Sequence, residues 1–191
     1  EKYLPFPKAE LRSIGVFAGK FPFNVLDGDD PLLHAAFCDY TEHEETFGNM
    51  YRVGKGVSYW YAAWKAEAYA RCGRSNETSE ALSQARASKG KYDELFEINE
   101  ENVYSVPWFM TAAGVYVSAV NESILQSDGE NVFLLPASGE KNISFKLPVK
   151  SGAVCEAEIR DGLLKKVDFT FREGVKPKKF SVFLHGNKIE Y

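Results

Sequence analysis

The sequence predicts an α+β chain, with a helical part over residues 1–128 followed by a small antiparallel β-sandwich or sheet over residues 129–191. Three observations point there. Before about residue 128 apolar residues recur at helical spacing, and after it they alternate with a period of two. The pair Asp161-Gly162 in "RDGL" is the strongest hairpin signal in the chain, because both residues accept the left-handed backbone that a two-residue turn demands. With 191 residues and 45% hydrophobic content, the chain can bury a core and form one large domain or two small ones.

Taken in order, "DDPLLHAAFCDYTEH" places Asp29 or Asp30 as an N-cap, Pro31 at the first helical position and an apolar stripe behind it, predicting a helix over about 30–42. "FGNMYRVGKGVS" is glycine-rich and reads as a loop ending at Ser58, a candidate cap for the next helix. That helix, "YWYAAWKAEAYAR", runs to Arg71 and stops at Gly73. After "GRSN", "ETSEALSQARAS" is a short amphipathic helix with Ala81, Leu82 and Ala85 inward and Gly90 as its stop. So short a connection packs the two helices antiparallel. Residues 91–105 read as irregular. "VPWFMTAAGVYVSAVNESILQ" then gives a helix over about 107–126, with Val117, Val120, Ile124 and Leu125 inward and Gly114 leaving room for another backbone.

The second part supplies about five short strands. "AVCEAEIRDGLL" alternates Ala153, Cys155, Ala157 and Ile159 with polar neighbours, and Val167, Phe169 and Phe171 share one face of the next strand. "NVFLLPA", "NISFKLPV" and "KKFSVFLHG" complete the set.

Composition excludes several classes of function. The net charge of -4 is interspersed, without the concentrated basic face that nucleic acid requires. No stretch approaches the roughly 20 apolar residues of a membrane span. The opening "EKYLPFPKAE" lacks a secretory signal pattern and begins abruptly, as a fragment or processed form would. Cys38, Cys72 and Cys155 are scattered, odd in number and without a histidine at metal spacing, so they read as small hydrophobes rather than a disulfide or metal site. No cofactor is implied, since "GKGVS" lacks both the spacing and the preceding strand of a phosphate loop. His34, His43 and His185 sit in no known nucleophile motif. Glycosylation triplets begin at Asn76, Asn121 and Asn142, the second of them inside a predicted helix.

Chemistry could come from rings or from carboxylates. Trp60 and Trp64 share one face of their helix while Tyr59, Tyr61 and Tyr69 point elsewhere, and a helix that is apolar all round is a buried one. A sugar site would instead present one or two rings beside carboxylates and amides, so spacing alone favours core packing. Glu42, Glu44, Glu45, Glu94 and Glu97 are candidate carboxylates for glycoside hydrolysis, each competing with the plainer reading of a solvated side chain.

With these residues in view, the chain resembles the C-terminal third of glycoside hydrolase family 95, the inverting alpha-L-fucosidases and their relatives. "WYAAWKAEAYARCG" is similar to that family's W-S-x-A-W-x-x-x-x-x-A-R-x-G helix, through Trp60, Ala63, Trp64, Ala70, Arg71 and Gly73. "GVFAGKFP", "NESILQSDGENVFLLPA" and "GAVCEAEIRDGLL" follow as counterparts of L-Y-G-L-Y-P-G, of E-M-L-L-Q-S…I-x-L-L-P-A and of G-F-x-V-x-x-x-W-x-D-G-x-L.

The resemblance implies the last helices of an (alpha/alpha)6 barrel followed by a C-terminal β domain, in a secreted or periplasmic protein. A complete barrel needs more helices than this chain supplies, so its partner would be the upstream part of the same protein. The family's last long helix is entered through H-P-P-F-Q-I-D-G-N-F-G, and its aspartate falls here at Thr111, with Trp108 and Phe109 in the aromatic part. A threonine orients a group by hydrogen bonding but carries no charge. The family's general-acid glutamate lies upstream of the L-Y-G-L-Y-P-G element, so the resemblance implies no catalytic residue here and no hydrolysis by this chain alone. Trp60, Trp64, Trp108 and Thr111 would lie near the sugar-binding end, with an oligosaccharide or glycan as ligand. A non-catalytic glycan-binding or structural module is the alternative.

Overall fold

In the computed structural model, which describes residues 14–43, 52–53, 56–57, 59–87, 98–100, 103–105 and 108–190, the layout is α+β. A 3-10 turn, Ile14–Gly19, turns Val16 and Phe17 inward. Helix α1, Pro31–His43, begins where Asp30 Oδ1 accepts the backbone N–H groups of Leu32 (2.8 Å) and Leu33 (3.2 Å). Of the two candidate aspartates, Asp30 is therefore the N-cap, and Pro31 follows it at the position that needs no N–H. Asp30→Ala should cost about 1 kcal/mol of stability in a denaturant melt, and an unchanged midpoint would refute the capping role.

Helix α2, Tyr59–Arg71, ends as predicted at Gly73, whose φ of 71° is left-handed. Gly73 N–H reaches the Ala70 carbonyl and Arg74 N–H the Tyr69 carbonyl, which occupies two of the carbonyls a helix end leaves open. Helix α3, Ser75–Ala87, starts two residues earlier than "ETSEALSQARAS" suggested. Arg74 is the reason, since its carbonyl accepts both the N–H (3.0 Å) and the hydroxyl (2.6 Å) of Thr78. Ser58 and Gly90, expected as a cap and a stop, lie outside the described residues.

Helix α4, Met110–Ile124, is two residues shorter at its C-terminal end than its apolar spacing suggested. Leu125 takes an extended backbone (φ −145°, ψ 123°) and the chain passes directly into strand β5, Leu125–Ser127. The inward face also differs. Ala112, Ala119 and Ser123 are buried, and Leu125 is buried with Ile124 packed beside it as expected, whereas Val117 is exposed and a Cβ added at Gly114 would meet nothing within 4 Å among the described residues. Gly114 therefore admits no neighbouring backbone; the alanines do.

Those alanines make the helical interface. Ala62, Ala63 and Ala85 cluster with Ala112, and Ala66 and Ala81 with Ala119. Small side chains let helices approach closely, so the seam is backbone-rich rather than interdigitated. Contacts advance in the same direction along both helices, from Trp60 on Phe109, through Ala66 with Ala119, to the Gln126 amide on the Ala70 carbonyl. Helices α2 and α4 therefore run parallel and pack directly on each other, and α3 returns antiparallel beside α2. Lys65 Nζ meets Gln84 Oε1 at 2.9 Å, the pairing expected of an antiparallel α2–α3 hairpin.

Two short ladders lie where the sequence suggested loops: β1, Arg52–Val53, with β2, Gly56–Val57, and β3, Ile98–Glu100, with β4, Val103–Ser105. The β-rich half follows with β6 (Asn131–Leu134), β7 (Ile143–Pro148), β8 (Ala153–Arg160), β9 (Leu163–Phe171), β10 (Ser181–Leu184) and β11 (Asn187–Ile189). They form two sheets, in the orders β11-β10-β6-β5 and β7-β8-β9. Every pairing is antiparallel except β6 with β10, which is parallel.

Alternation builds the core between these sheets. Ala153, Cys155, Ala157 and Ile159 of β8 meet Val132 and Leu134 of β6 and Val182 and Leu184 of β10, with Phe169 and Phe171 packed at the side. The β8–β9 turn is made by Asp161 (φ 54°) and Gly162 (φ 75°), as the Asp-Gly signal predicts. His185 (φ 48°) and Gly186 (φ 78°) make a second turn of the same kind between β10 and β11. Among the described residues no helix is long and apolar enough to cross a membrane.

Candidate functional site

The aromatic helix resolves face by face. Tyr61, Trp64, Ala68, Tyr69 and Cys72 belong with Phe17, Phe37 and Tyr40 in one apolar cluster, and the alanines face α3 and α4. Tyr69 donates or accepts a 2.9 Å hydrogen bond with Thr41 Oγ1, and burial pushes its phenol up to about 12. The side chain of Tyr59 lies outside the described residues.

Trp60 and Trp64 stack along α2, with ring centroids 6.3 Å apart and planes at 27°. Trp64 is a supporting ring. Its indole N–H donates to the Phe21 carbonyl at 2.8 Å, and its ring meets Phe21 edge-on. Trp60 is half-buried at the start of α2, where Phe109 packs edge-on against it at 5.5 Å.

Because α2 and α4 are parallel, their N-terminal ends share one rim. Trp108 stands there 66% exposed, on a left-handed backbone (φ 60°), and Thr111 is exposed one turn along. A bulky residue in that conformation costs roughly 1–2 kcal/mol. Phe109 caps α4 without any side-chain hydrogen bond; its carbonyl takes the Ala112 and Ala113 N–H groups, and among the described residues the Met110 and Thr111 N–H groups have no backbone acceptor. The structure thus gathers Trp60, Trp108 and Thr111 at one end, with Trp64 behind them. The rim offers a ring face, a hydroxyl and backbone donors, the groups that hold a sugar by its C–H face and its hydroxyls.

The other candidates disperse. Glu42 is exposed on α1, and Glu44, Glu45, Glu94 and Glu97 lie outside the described residues. Cys72 and Cys155 are pushed by burial up to about 11 and about 12, which leaves them unreactive thiols. Cys38 and His34 are one helical turn apart on the exposed side of α1, with Sγ 3.6 Å from Nδ1, a pairing that the reading of the cysteines as lacking a nearby histidine overlooked. Asn76 lies on α3 and Asn121 on α4, while the Asn142 side chain accepts the Asp161 N–H at 3.0 Å beside the hairpin turn.

A buried ionic group also escaped the sequence reading. Glu67, fully buried, accepts Arg71 Nε at 2.9 Å, and Arg71 Nη2 reaches Glu122 Oε1 of α4 at 3.4 Å. Burial raises the Glu67 carboxyl above its ordinary range and outweighs the Arg71 guanidinium, which pulls it down; Glu122 adds to the rise. Glu67 Oε2 has no hydrogen-bond partner among the described residues. Arg71 also lies over the Phe21 ring, 4.8 Å from its centroid. The signal in the sequence was the Glu67–Arg71 spacing of one helical turn.

Gln126 completes this junction. Its amide nitrogen donates to carbonyls in the last turns of two helices, Ala70 of α2 and Glu122 of α4, both at 2.8 Å. Ala70 and Arg71 at the end of α2 therefore meet Gln126 and Glu122. No family model matches the chain, and no curated protein matches it at a significant level.

Proposed function

We propose that this chain is the C-terminal portion of a carbohydrate-active protein resembling the inverting alpha-L-fucosidases. It supplies the aromatic edge of a sugar site whose general acid lies in another segment, and it does not hydrolyse glycosides alone. The observation that carries the reading is Trp108, a large ring held exposed on a strained backbone at the shared rim of α2 and α4. Residues held in such conformations cluster at functional sites, and Trp108 differs from Leu135, which is left-handed too but buried in the β core, in presenting its ring to solvent. Parallel α2 and α4 with an antiparallel α3 is also the arrangement that successive hairpins of an (alpha/alpha)6 barrel would require. In this reading Trp60 and Trp108 stack on sugar rings, Trp64 holds Trp60 in place, and Thr111 donates or accepts a hydroxyl hydrogen bond.

Glycoside hydrolysis needs two suitably spaced carboxyl groups, and Thr111 stands where the family carries one of its acidic residues. That substitution favours the second reading, a non-catalytic glycan-binding or structural module. Assays of the chain and of a longer parent on aryl fucosides, galactosides and arabinosides separate the two. Turnover by the longer protein alone supports the first reading. Turnover by neither, with glycan binding retained, supports the second, and turnover by this chain at an ordinary enzymatic rate overturns both.

The rim itself is tested by Trp108→Gly, which relieves the backbone and removes the ring. Stability should rise by about 1 kcal/mol while oligosaccharide binding, followed by titration calorimetry, is lost. Unchanged binding would place the sugar elsewhere.

A further inference from the structure

A cavity of about 260 Å³ opens at the opposite end of α2 from the tryptophan rim, between the residues after the 3-10 turn, the Arg71–Glu122 pair and the β5–β6 pair. We propose that it binds a carboxylate-bearing sugar ring of the uronic acid type. The inference goes beyond the rim reading and does not depend on Trp60, Trp108 or Thr111.

Charge decides the sign of the ligand. Lys20 lines the cavity and is only 9% exposed, and among the described residues its ammonium donates to the Leu26 carbonyl at 3.2 Å alone. No carboxylate among the described residues pairs with it. A buried ammonium without a counter-ion is costly, and an anion in the cavity would relieve that cost. Lys150 lines the same cavity from the solvent side, also without a carboxylate partner among the described residues.

The acidic groups nearby are already engaged. Glu122 is held by Arg71, whose own charge is shared with Glu67. The Asp128 carboxylate accepts the N–H groups of Glu130 (3.0 Å) and Asn131 (2.8 Å) and the Asn131 side-chain amide (2.7 Å), so it closes its own turn. Those hydrogen bonds hold its carboxyl below the ordinary range. Asp128 stays ionised, so the lining sets Lys20, Arg71 and Lys150 against Glu122 and Asp128 and carries one net positive charge.

The remaining lining points to a sugar ring rather than a bare anion. Phe133 contributes a half-buried ring, fixed by stacking on Phe183 with centroids 5.2 Å apart and planes at 24°. Gln126 spends both amide hydrogens on helix carbonyls, which leaves its oxygen to accept a hydroxyl, and Asn24 lines the mouth. An aromatic floor for a C–H face, an amide oxygen for a hydroxyl and ammonium groups for a carboxylate together match one acidic pyranose. The volume agrees, since pockets for drug-sized ligands run from about 300 to 1,000 Å³ and this one is just smaller.

Sodium glucuronate and galacturonate, titrated into the chain and followed by amide chemical shifts, test the assignment. At least one should bind in the millimolar range and move the signals of Lys20, Gln126 and Ser127, with glucose and inorganic phosphate binding at least about tenfold more weakly. Lys150→Ala, a surface change that leaves the fold intact, should weaken uronate binding about tenfold, the loss typical of one charge-assisted hydrogen bond. Phe133→Leu should weaken it further, and Trp108→Gly should leave it unchanged. Phosphate binding as tightly as uronate would reduce the cavity to an anion hole and overturn the sugar assignment. No response to either uronate, or a response indifferent to Lys150→Ala, would overturn the site.

Discussion

Arg71→Met should make the stability of this protein fall by about 1.4 kcal/mol for each pH unit above the range where an unfolded glutamate ionises. Glu67 is fully buried, and Arg71 supplies its cationic partner at 2.9 Å. Without that guanidinium, the groups among the described residues that act on the carboxyl are the Ser118 hydroxyl, which favours ionisation weakly, and Glu122, which opposes it. The folded chain would then keep Glu67 protonated while the unfolded chain releases the proton near 4.5. Over that interval the folded state binds one more proton than the unfolded state, so stability falls as pH rises, by roughly 3 kcal/mol at neutral pH. The native protein should show the same sign over a narrower window, because the Glu67 carboxyl is already raised with Arg71 in place. Urea melts between about pH 5 and about pH 8 read the slope. Adding Glu67→Gln to Arg71→Met should flatten it, and a slope that survives the double change would mean that another group sets it.

Phe17→Ala should cost about 3 to 5 kcal/mol, the range for truncating a buried aromatic. Phe17 is fully buried, with ring centroids 4.5 Å from Phe37, 5.0 Å from Tyr40 and 5.9 Å from Tyr69. One short turn thereby joins α1 to α2 through three rings. Phe23, six residues on, is exposed, so Phe23→Ala should change stability by no more than about 0.5 kcal/mol. Comparable losses from the two changes, measured in the same melt, would refute the packing of the turn.

Elements that announce themselves locally were legible. Asp30 and Pro31 mark the start of α1, Gly73 marks the end of α2, and the alternation of Ala153 to Ile159 gives β8 with its inward face. Each signal lies within a few residues of the structure it determines. Features made by distant partners were not. The apolar spacing of α4 runs on into Leu125, but pairing with Leu134 draws that residue into a strand. His185 takes a left-handed backbone without the usual Asn or Asp, so the last hairpin carries a weaker signal than "RDGL".

The same division holds for the sites. The spacing of Trp60 and Trp64 shows that they share a face, but only the fold brings Trp108 and Thr111 to the same end. Glu67 carries no local signal of its burial, which it owes to packing against α4. The cavity beside Lys20 is assembled from a turn, two helices and a sheet, and no single stretch of sequence contains it.

The parallel pairing of β6 with β10 has a consequence for the order in which the chain can fold. Asn131 pairs with Ser181, and the whole β7-β8-β9 meander lies between them in sequence. That meander needs only neighbouring strands and can form as soon as it leaves the ribosome. β6 can pair early with β5 alone, which leaves its other edge unpaired until Ser181–Leu184 arrives. The late-closing strand holds Val132 and Leu134, so during synthesis it exposes an apolar, aggregation-prone edge that β10 eventually seals.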